Sequence, residues 1–371
     1  MASPVAFNQA AWQQAAFDKS FVVGPGPDQT HPADDEVVIK VAYVAINPSE
    51  WKFQEWAYLP VEYPHIIGSD AAGEVVLTGS KVTRFEPGDR VIGHCLGLVY
   101  GGARHGAFQL YTTVRERLTA KLPPAIPFSK GVVLPLALST ATAGLFEILK
   151  LRLPTTPPTP STGEIVLIWG GSSSVGTVAS QLARAAGYDV VTTASQRNHT
   201  YAKEMGAIEV FDYADPEVIP KLKEYLSGTK FAGALDCIGD SGAPDACAEI
   251  VKSLLGGGVV PTMLWPPKDL PEGVEGVLGR CSAVRGGRFD GHQADPVVVY
   301  ASNPGTEDNY IAADVWERFV PAALASGVLQ TKPEPQVLTG GLEKLQEALA
   351  LQKRGVSARK IVMEIDASMG P

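Results

Sequence analysis

The sequence predicts an α/β protein in which a β-rich portion is joined to a doubly wound parallel sheet. Three observations carry this. From Glu164 onward, apolar strand-like runs alternate with helical ones, the pattern of βαβ units. The first third instead holds short β-branched runs cut by Gly, Pro and Asp. Between the first strand and first helix of the alternating part lies VLIWGGSSSVG, residues 166–176, a glycine-rich turn of the kind that cradles phosphates.

EVVIKVAYVAI, from Glu36, alternates β-branched and apolar residues and breaks at Asn47-Pro48. AGEVVLTG, DRVIG and FQLYTTV are further strands, and Glu86-Pro87-Gly88-Asp89 is the turn between the first two. Residues 129–150 read as helical. LRLPTTPPTPSTG then places four Pro between Leu151 and Gly163, a stiff, partly extended linker or surface loop. The alternating part runs EIVLIWG (strand), 175–187 (helix), DVVTTAS (strand), 199–205 (helix) and IEVFDY (strand). It continues with 216–226 (helix), FAGALDCIG (strand), 243–255 (helix) and GGVVPTML (strand). Residues 266–296, with Gly286-Gly287 and Arg288-Phe289, read as a long irregular stretch. Helices around 311–326 and 342–353 and the strand KIVMEI close the chain. No internal repeat is visible.

A chain of 371 residues fits two or three domains. With 45% hydrophobic and 19% charged residues it can bury a sizeable core. A net charge of −9 without a basic block argues against nucleic acid or an anionic membrane as partner. The four cysteines, Cys95, Cys237, Cys247 and Cys281, form no CxxC pair, so neither a disulfide framework nor a cysteine zinc module is expected. No run reaches 18 apolar residues, and MASPVAFNQAAWQQ lacks a basic segment followed by a long apolar one. The expectation is a reduced cytoplasmic protein without a signal peptide, in which the sequon Asn198-His199-Thr200 is chance.

The glycine-rich turn carries the clearest chemistry. Gly171 and Gly176 take the first and third glycine positions of the dinucleotide fingerprint. Ser173 takes the middle one, among Ser172, Ser174 and Val175, so the fingerprint is incomplete and an ordinary βα turn is the alternative. A turn here brings backbone N–H groups and the positive end of a helix to a pyrophosphate. An NAD site would place an acid at the tip of the second strand, but Thr193-Ala194-Ser195 has none and Arg197 follows. NADPH is therefore expected, although Arg197 alone also reads as a solvated surface residue.

These residues resemble the medium-chain dehydrogenase/reductase superfamily, on its zinc-free, quinone-oxidoreductase-like side. The resemblance runs from VAYVAINPSEWK through GSDAAGEVV, PGDRV, GAF, the glycine-rich turn and AKEMGA to the last strand. AINPSxxK, LSTA at 138–141, the Pro-rich insertion, FDY and ALDCI are similar to fungal trans-acting enoyl reductases of polyketide biosynthesis, the lovastatin type. The resemblance implies a GroES-like β-rich domain, residues 1–145 and 305–371, and an inserted Rossmann domain, residues 146–304, with the active cleft between them. It implies Lys52 and Thr140 as catalytic residues. It implies cofactor contacts from Asn47, Pro48, Gly171, Ser172, Ser173, Ser174, Val175, Gly176, Ser195, Arg197, Asn198, Tyr213, Cys237 and Ile238. Plainer readings stand beside these: Lys52 as a surface lysine, Thr140 as a helix-start cap, Tyr213 as a strand-end aromatic, and Asp236 and Cys237 as structural.

The zinc branch of that superfamily has a Cys where Asn47 stands and a His-Glu pair where Ser69-Asp70 stands. Catalytic zinc needs three protein ligands and an open position. Asn47 and Ser69 are not such ligands, and the four-Cys lobe after PGDRV is missing, leaving only His94-Cys95. No metal is expected. The implied function is NADPH-dependent reduction of an α,β-unsaturated acyl thioester by a monomer. The partner is then the acyl carrier protein of a highly reducing polyketide synthase, alone or as a hybrid with a peptide synthetase. Carrier proteins are usually acidic, so a basic patch is expected, with Lys150, Arg152 and Arg184 as candidates. A free-standing NADPH-dependent quinone or alkenal reductase is the alternative. A non-catalytic or repurposed protein is the third reading.

Overall fold

The strand Glu36–Ala45 is buried on both faces along nearly its whole length, as its Val and Ile content requires of a central strand. The computed structural model describes residues 7–100, 102–278, 288–289, 292–293 and 310–369. Cys281 and Gly286-Gly287 lie outside the described residues. Asp70–Thr78 and Tyr111–Arg115 pair antiparallel with the central strand, as does Arg359–Glu364. The seven-stranded sheet runs Glu334–Leu338, Arg359–Glu364, Glu36–Ala45, Asp70–Thr78, Arg90–His94, Thr119–Lys121, with Tyr111–Arg115 paired to the central strand. The C-terminal strand thus lies beside a strand more than 300 residues earlier, and Ile46 N–H donates to Ile361 O at 2.9 Å just past it.

The second sheet is parallel, in the order Ala207–Phe211, Asp189–Thr193, Glu164–Trp169, Lys230–Asp236. In chain order these are third, second, first and fourth. The order reverses between Glu164–Trp169 and Lys230–Asp236, and ligands of such sheets bind at the carboxyl ends beside that reversal. The expected helices are present as Ser174–Ala185, His199–Glu204, Val218–Leu226 and Ala243–Leu255. The last buries Ala246, Cys247, Ile250 and Val251 against Leu167 and Leu222. Gly258–Thr262 and Val274–Leu278 form a further parallel pair. The second of these lies in the stretch expected to be irregular. VEGVL is short and interrupted by glycine, a weak signal; a Cβ at Gly276 would meet Pro266 Cβ at 2.3 Å.

The expected helical run is built as Phe128–Gly131, Pro135–Thr142 and a wider π-type turn Ala143–Ile148. Among the described residues, Phe128–Ile148 is the one helix long and apolar enough to cross a membrane, and it is almost entirely buried in protein. The Pro-rich segment, expected as a stiff linker or surface loop, is held down by backbone bonds: Thr155 and Thr159 N–H both donate to Ala185 O, and Thr162 N–H to Gly187 O.

The chain divides into two compact units at Leu136/Ala137 and again at Pro333/Glu334. The expected borders were 145/146 and 304/305. The first difference arises because the helical run straddles the border, so composition changes later than packing does. The second arises because residues 310–333 are tied to the second unit. The buried Trp316 donates through Nε1 to Ser139 Oγ at 3.1 Å, and Gln330 N–H donates to Gln181 Oε1 at 2.8 Å.

Candidate functional site

The second unit gathers most of the predicted cofactor residues at the carboxyl edge of its parallel sheet. The strand Glu164–Trp169 ends at Gly170, and the chain turns into the helix Ser174–Ala185. Ser173 is the N-cap, its Oγ accepting the Gly176 N–H at 3.0 Å. The serine that breaks the glycine fingerprint thus closes the helix start instead. Gly170 N–H donates to Thr193 Oγ1 and Gly171 N–H to Thr193 O, both at 2.9 Å, which pins the turn to the neighbouring strand.

The two fingerprint glycines are required by close approach. A Cβ on Gly171 would meet Thr192 Oγ1 at 2.2 Å, and one on Gly176 would meet Gly170 O at 2.2 Å. The second neighbour is backbone and cannot rotate away. Gly176→Ala is therefore expected to destabilise the fold by about 1–3 kcal/mol or more, read as a lowered denaturation midpoint. An unchanged midpoint would mean that the turn opens without cost.

Ser172, Ser195 and Asn198 come together at the tip of the second strand. Asn198 Nδ2 lies 3.1 Å from Ser195 Oγ and 3.4 Å from Ser172 Oγ. Arg197 is exposed beside them, and residues 194–198 contain no carboxylate. Tyr213 follows the third strand in a turn and is 53% exposed, so it stands beyond the strand end rather than at it. Cys237 is buried and its N–H donates to Trp169 O at 3.0 Å. Ile238 lies against Gly170, where an added Cβ would meet its Cδ1 at 2.6 Å. Asp236 accepts the Ile238 N–H at 2.9 Å and both its oxygens accept the Gly239 N–H, so its side chain shapes this turn. Burial pushes its carboxyl up to about 6, against those N–H groups. Hydroxyl and amide donors, a cation and a capped twelve-residue helix suit a phosphorylated dinucleotide.

Thr140 lies in the same unit, buried within the helix Pro135–Thr142 and well past its start. The cap reading therefore fails, because the helix begins at Pro135. Two of the cations considered for a basic patch are paired with acids. Arg152 Nη1 lies 2.5 Å from Glu164 Oε2 and Arg184 Nη1 2.7 Å from Asp189 Oδ1.

The first unit holds the other predicted residues on one helix, Pro48–Trp56. Pro48 fits its first turn, where a missing N–H costs nothing. The Asn47 N–H donates to Glu50 Oε2 at 2.6 Å, a capping arrangement that fixes the helix start. Lys52 is not a surface lysine. It is 8% exposed, with Nζ 5.5 Å from the Trp51 ring centroid and 5.4 Å from that of Trp56.

Around the helix start lies a polar cluster that sequence reading missed. Asn47 Nδ2 donates to Asp70 Oδ2 at 2.8 Å, and Lys360 Nζ donates to Asn47 Oδ1 and lies 3.3 Å from Asp70 Oδ2. Leu136 N–H donates to Asp70 Oδ1 at 2.6 Å. Burial, then the Asp70 carboxylate, pushes Glu50 up to about 7, while Lys360, the Asn47 N–H and the Ser69 hydroxyl oppose this. His94 is held down near 4 by burial, so it is neutral, and burial pushes the Cys95 thiol up. The signal that existed was Lys360 opening an apolar strand: a lysine there must be paired, because desolvating it alone is costly.

Two family descriptions match this chain. "Alcohol dehydrogenase GroES-like domain" covers residues 33–124, and "Zinc-binding dehydrogenase" covers residues 174–277. The chain belongs to the medium-chain dehydrogenase/reductase superfamily. Within it, the chain falls in the fungal enoyl reductase branch. It is 45% identical over 361 residues to the trans-enoyl reductase himH of Aspergillus japonicus, covering 97% of this chain and 98% of that protein. It is 31% identical over 342 residues to lovC of Aspergillus terreus, the enoyl reductase component of lovastatin nonaketide synthase, covering 90% of each. Among solved structures, an alcohol dehydrogenase superfamily protein from Novosphingobium aromaticivorans matches with a TM-score of 0.75 at 25% identity, over 97% of this chain and all of that one. Enoyl reductases of this superfamily are nicotinamide-dependent oxidoreductases.

The zinc in the second description meets a poor donor set here. Positions 47 and 69 offer an amide and a hydroxyl, and an ammonium already sits against Asn47 and Asp70. Among the described residues no group of three or more His, Cys, Asp and Glu is placed to hold a metal ion.

Proposed function

We propose that this protein is an NADPH-dependent, trans-acting enoyl reductase. Its substrate is an α,β-unsaturated acyl thioester on the acyl carrier protein of a highly reducing polyketide synthase, alone or joined to a peptide synthetase. It works as a cytoplasmic monomer and without zinc. The observation that carries the reading is the 45% identity to a trans-enoyl reductase over essentially the whole of both chains.

The local chemistry agrees. When bound, the nicotinamide supplies a hydride to the β-carbon. The backbone of residues 171–176 and the helix Ser174–Ala185 hold the pyrophosphate. Ser195, Asn198 and Arg197 take the 2′-phosphate, with Tyr213 beside it, and Cys237 and Ile238 border the nicotinamide ribose. Hydride addition leaves an enolate with its negative charge on the thioester oxygen, which requires a donor in place of a metal until a proton from solvent reaches the α-carbon. The Lys52 ammonium is that donor, and the Thr140 hydroxyl is the second proposed catalytic group.

The test is NADPH consumption by the purified protein. It should be followed with an α,β-unsaturated acyl thioester, as a carrier conjugate and as the N-acetylcysteamine ester, and with a small quinone and an alkenal. Faster turnover on the carrier conjugate is expected. Turnover on the quinone or alkenal exceeding that on both thioesters would replace this reading with the free-standing reductase.

A further inference from the structure

The Lys52 ammonium has two aromatic neighbours to which the proposed reaction gives no part. Trp51 and Trp56 stand on the same helix, and Trp56, four positions on, shares the helix face of Lys52. The two rings meet edge to face, with centroids 5.9 Å apart and planes at 76°. Lys52 Nζ lies 5.5 and 5.4 Å from the two centroids, inside the roughly 6 Å over which a ring face attracts a cation. A further contact braces the group. Lys353 Nζ, at the end of the helix Leu345–Lys353, lies 5.3 Å from the Trp51 centroid. Lys353 is paired with Glu55, which weakens its repulsion of Lys52. Gln54 and Gln346 join the same two helices through reciprocal amide bonds of 3.1 and 3.2 Å. Trp51 Nε1 is buried and has no hydrogen-bond partner among the described residues. An unmet buried donor is a cost that Phe or Leu would avoid, so packing alone does not account for an indole here. What the indole adds is the natural side-chain face that attracts a cation best.

We propose that Trp51 and Trp56 are positioning residues, their ring faces holding the buried Lys52 ammonium in place to donate to the thioester oxygen of the substrate enolate. The proposal rests on the catalytic reading of Lys52. At 8% exposure this lysine has lost most of its water, and two ring faces return part of the attraction. Cation–π attraction acts on the charge of the ammonium and claims no particular N–H, so it suits a lysine that must still donate to an oxyanion. A ring face also carries no full negative charge to compete with the enolate.

The experiment places mono-, di- and trifluorotryptophan, by nonsense suppression, at position 51, at position 56 and at both. Each fluorine draws electron density from the ring face and leaves the ring's shape nearly unchanged, so the attraction is graded while the fold is kept. The readouts are kcat and KM on the α,β-unsaturated acyl thioester, the Kd for NADPH and the denaturation midpoint, with Lys52 present and on a Lys52→Ala background. With Lys52 present, kcat should fall stepwise with fluorine number, by about 3- to 30-fold for trifluorotryptophan at both positions. The midpoint and the NADPH affinity should stay constant. On the Lys52→Ala background the series should be flat, because the effect acts through Lys52. A flat series with Lys52 present, while Lys52→Ala still lowers kcat, would overturn the proposal and leave the catalytic reading standing, since the rings would then only pack. An equally steep series on the Lys52→Ala background would also overturn it. If Lys52→Ala alone leaves kcat unchanged, it is the catalytic reading of Lys52 that fails, and the proposal falls with it.

Discussion

Lys52→Ala is expected to lower kcat on an α,β-unsaturated acyl thioester on the order of 100-fold or more, the usual consequence of removing one donor to a developing oxyanion. The Kd for NADPH should stay within about a factor of two, since the predicted dinucleotide contacts lie mainly on the turn after Glu164–Trp169 and on its neighbouring strands. Burial of Lys52 between Trp51 and Trp56 sharpens the experiment. An exposed lysine could be lost without effect, whereas this one has been taken out of water, and its truncation leaves a gap beside two indole rings. The denaturation midpoint therefore has to be measured alongside, so that lost packing is not mistaken for lost catalysis. Near wild-type turnover by a folded variant would shift the enolate contact to Thr140, a ribose hydroxyl or a backbone N–H.

The second large effect is on cofactor choice. Wild-type protein should bind NADPH about 10- to 150-fold more tightly than NADH, the span of one charge-assisted contact of roughly 1.5–3 kcal/mol. Ser195→Asp should weaken NADPH binding by a similar factor and spare NADH. The reason is local: Ser195 Oγ sits within hydrogen-bond reach of Asn198, at a strand tip without a carboxylate and next to the exposed Arg197. A new carboxylate would repel a 2′-phosphate and accept hydrogen bonds from a free ribose hydroxyl. Equal wild-type affinities for the two cofactors would refute the assignment.

The parallel sheet was legible because its strands are continuous apolar runs bounded by Gly, Asp and Pro, and the helix Ala243–Leu255 has the bounds its pattern indicated. Strands that escaped notice, among them Gln9–Trp12, Val22–Pro25, Thr119–Lys121 and Glu334–Leu338, are short, and the last two take their conformation from strands separated from them by other elements. The same reason hid part of the site. Gly171, Ser173 and Gly176 are contiguous and announce a turn by composition. The bonds joining Asn47 to Asp70 and to Lys360 span 23 and 313 positions, and no local pattern marks them. Reading Asn47 and Ser69 only as absent ligands showed what the site lacks; it took the antiparallel pairing of the last strand with the central one to show what stands there instead.

The Pro-rich segment before the parallel sheet behaves as a splint. Ala185 and Gly187 offer carbonyls where the helix Ser174–Ala185 runs out, and Thr155, Thr159 and Thr162 cover them with backbone donors. The far end of this helix is thereby laced to the segment leading into the first strand of the parallel sheet. Four prolines stiffen that lacing before folding begins, so closing it costs less chain entropy than a glycine-rich connection of equal length. A protease meets here a segment short of free N–H groups and already held down, and a homologue with a shorter insertion would have to leave the helix end to water.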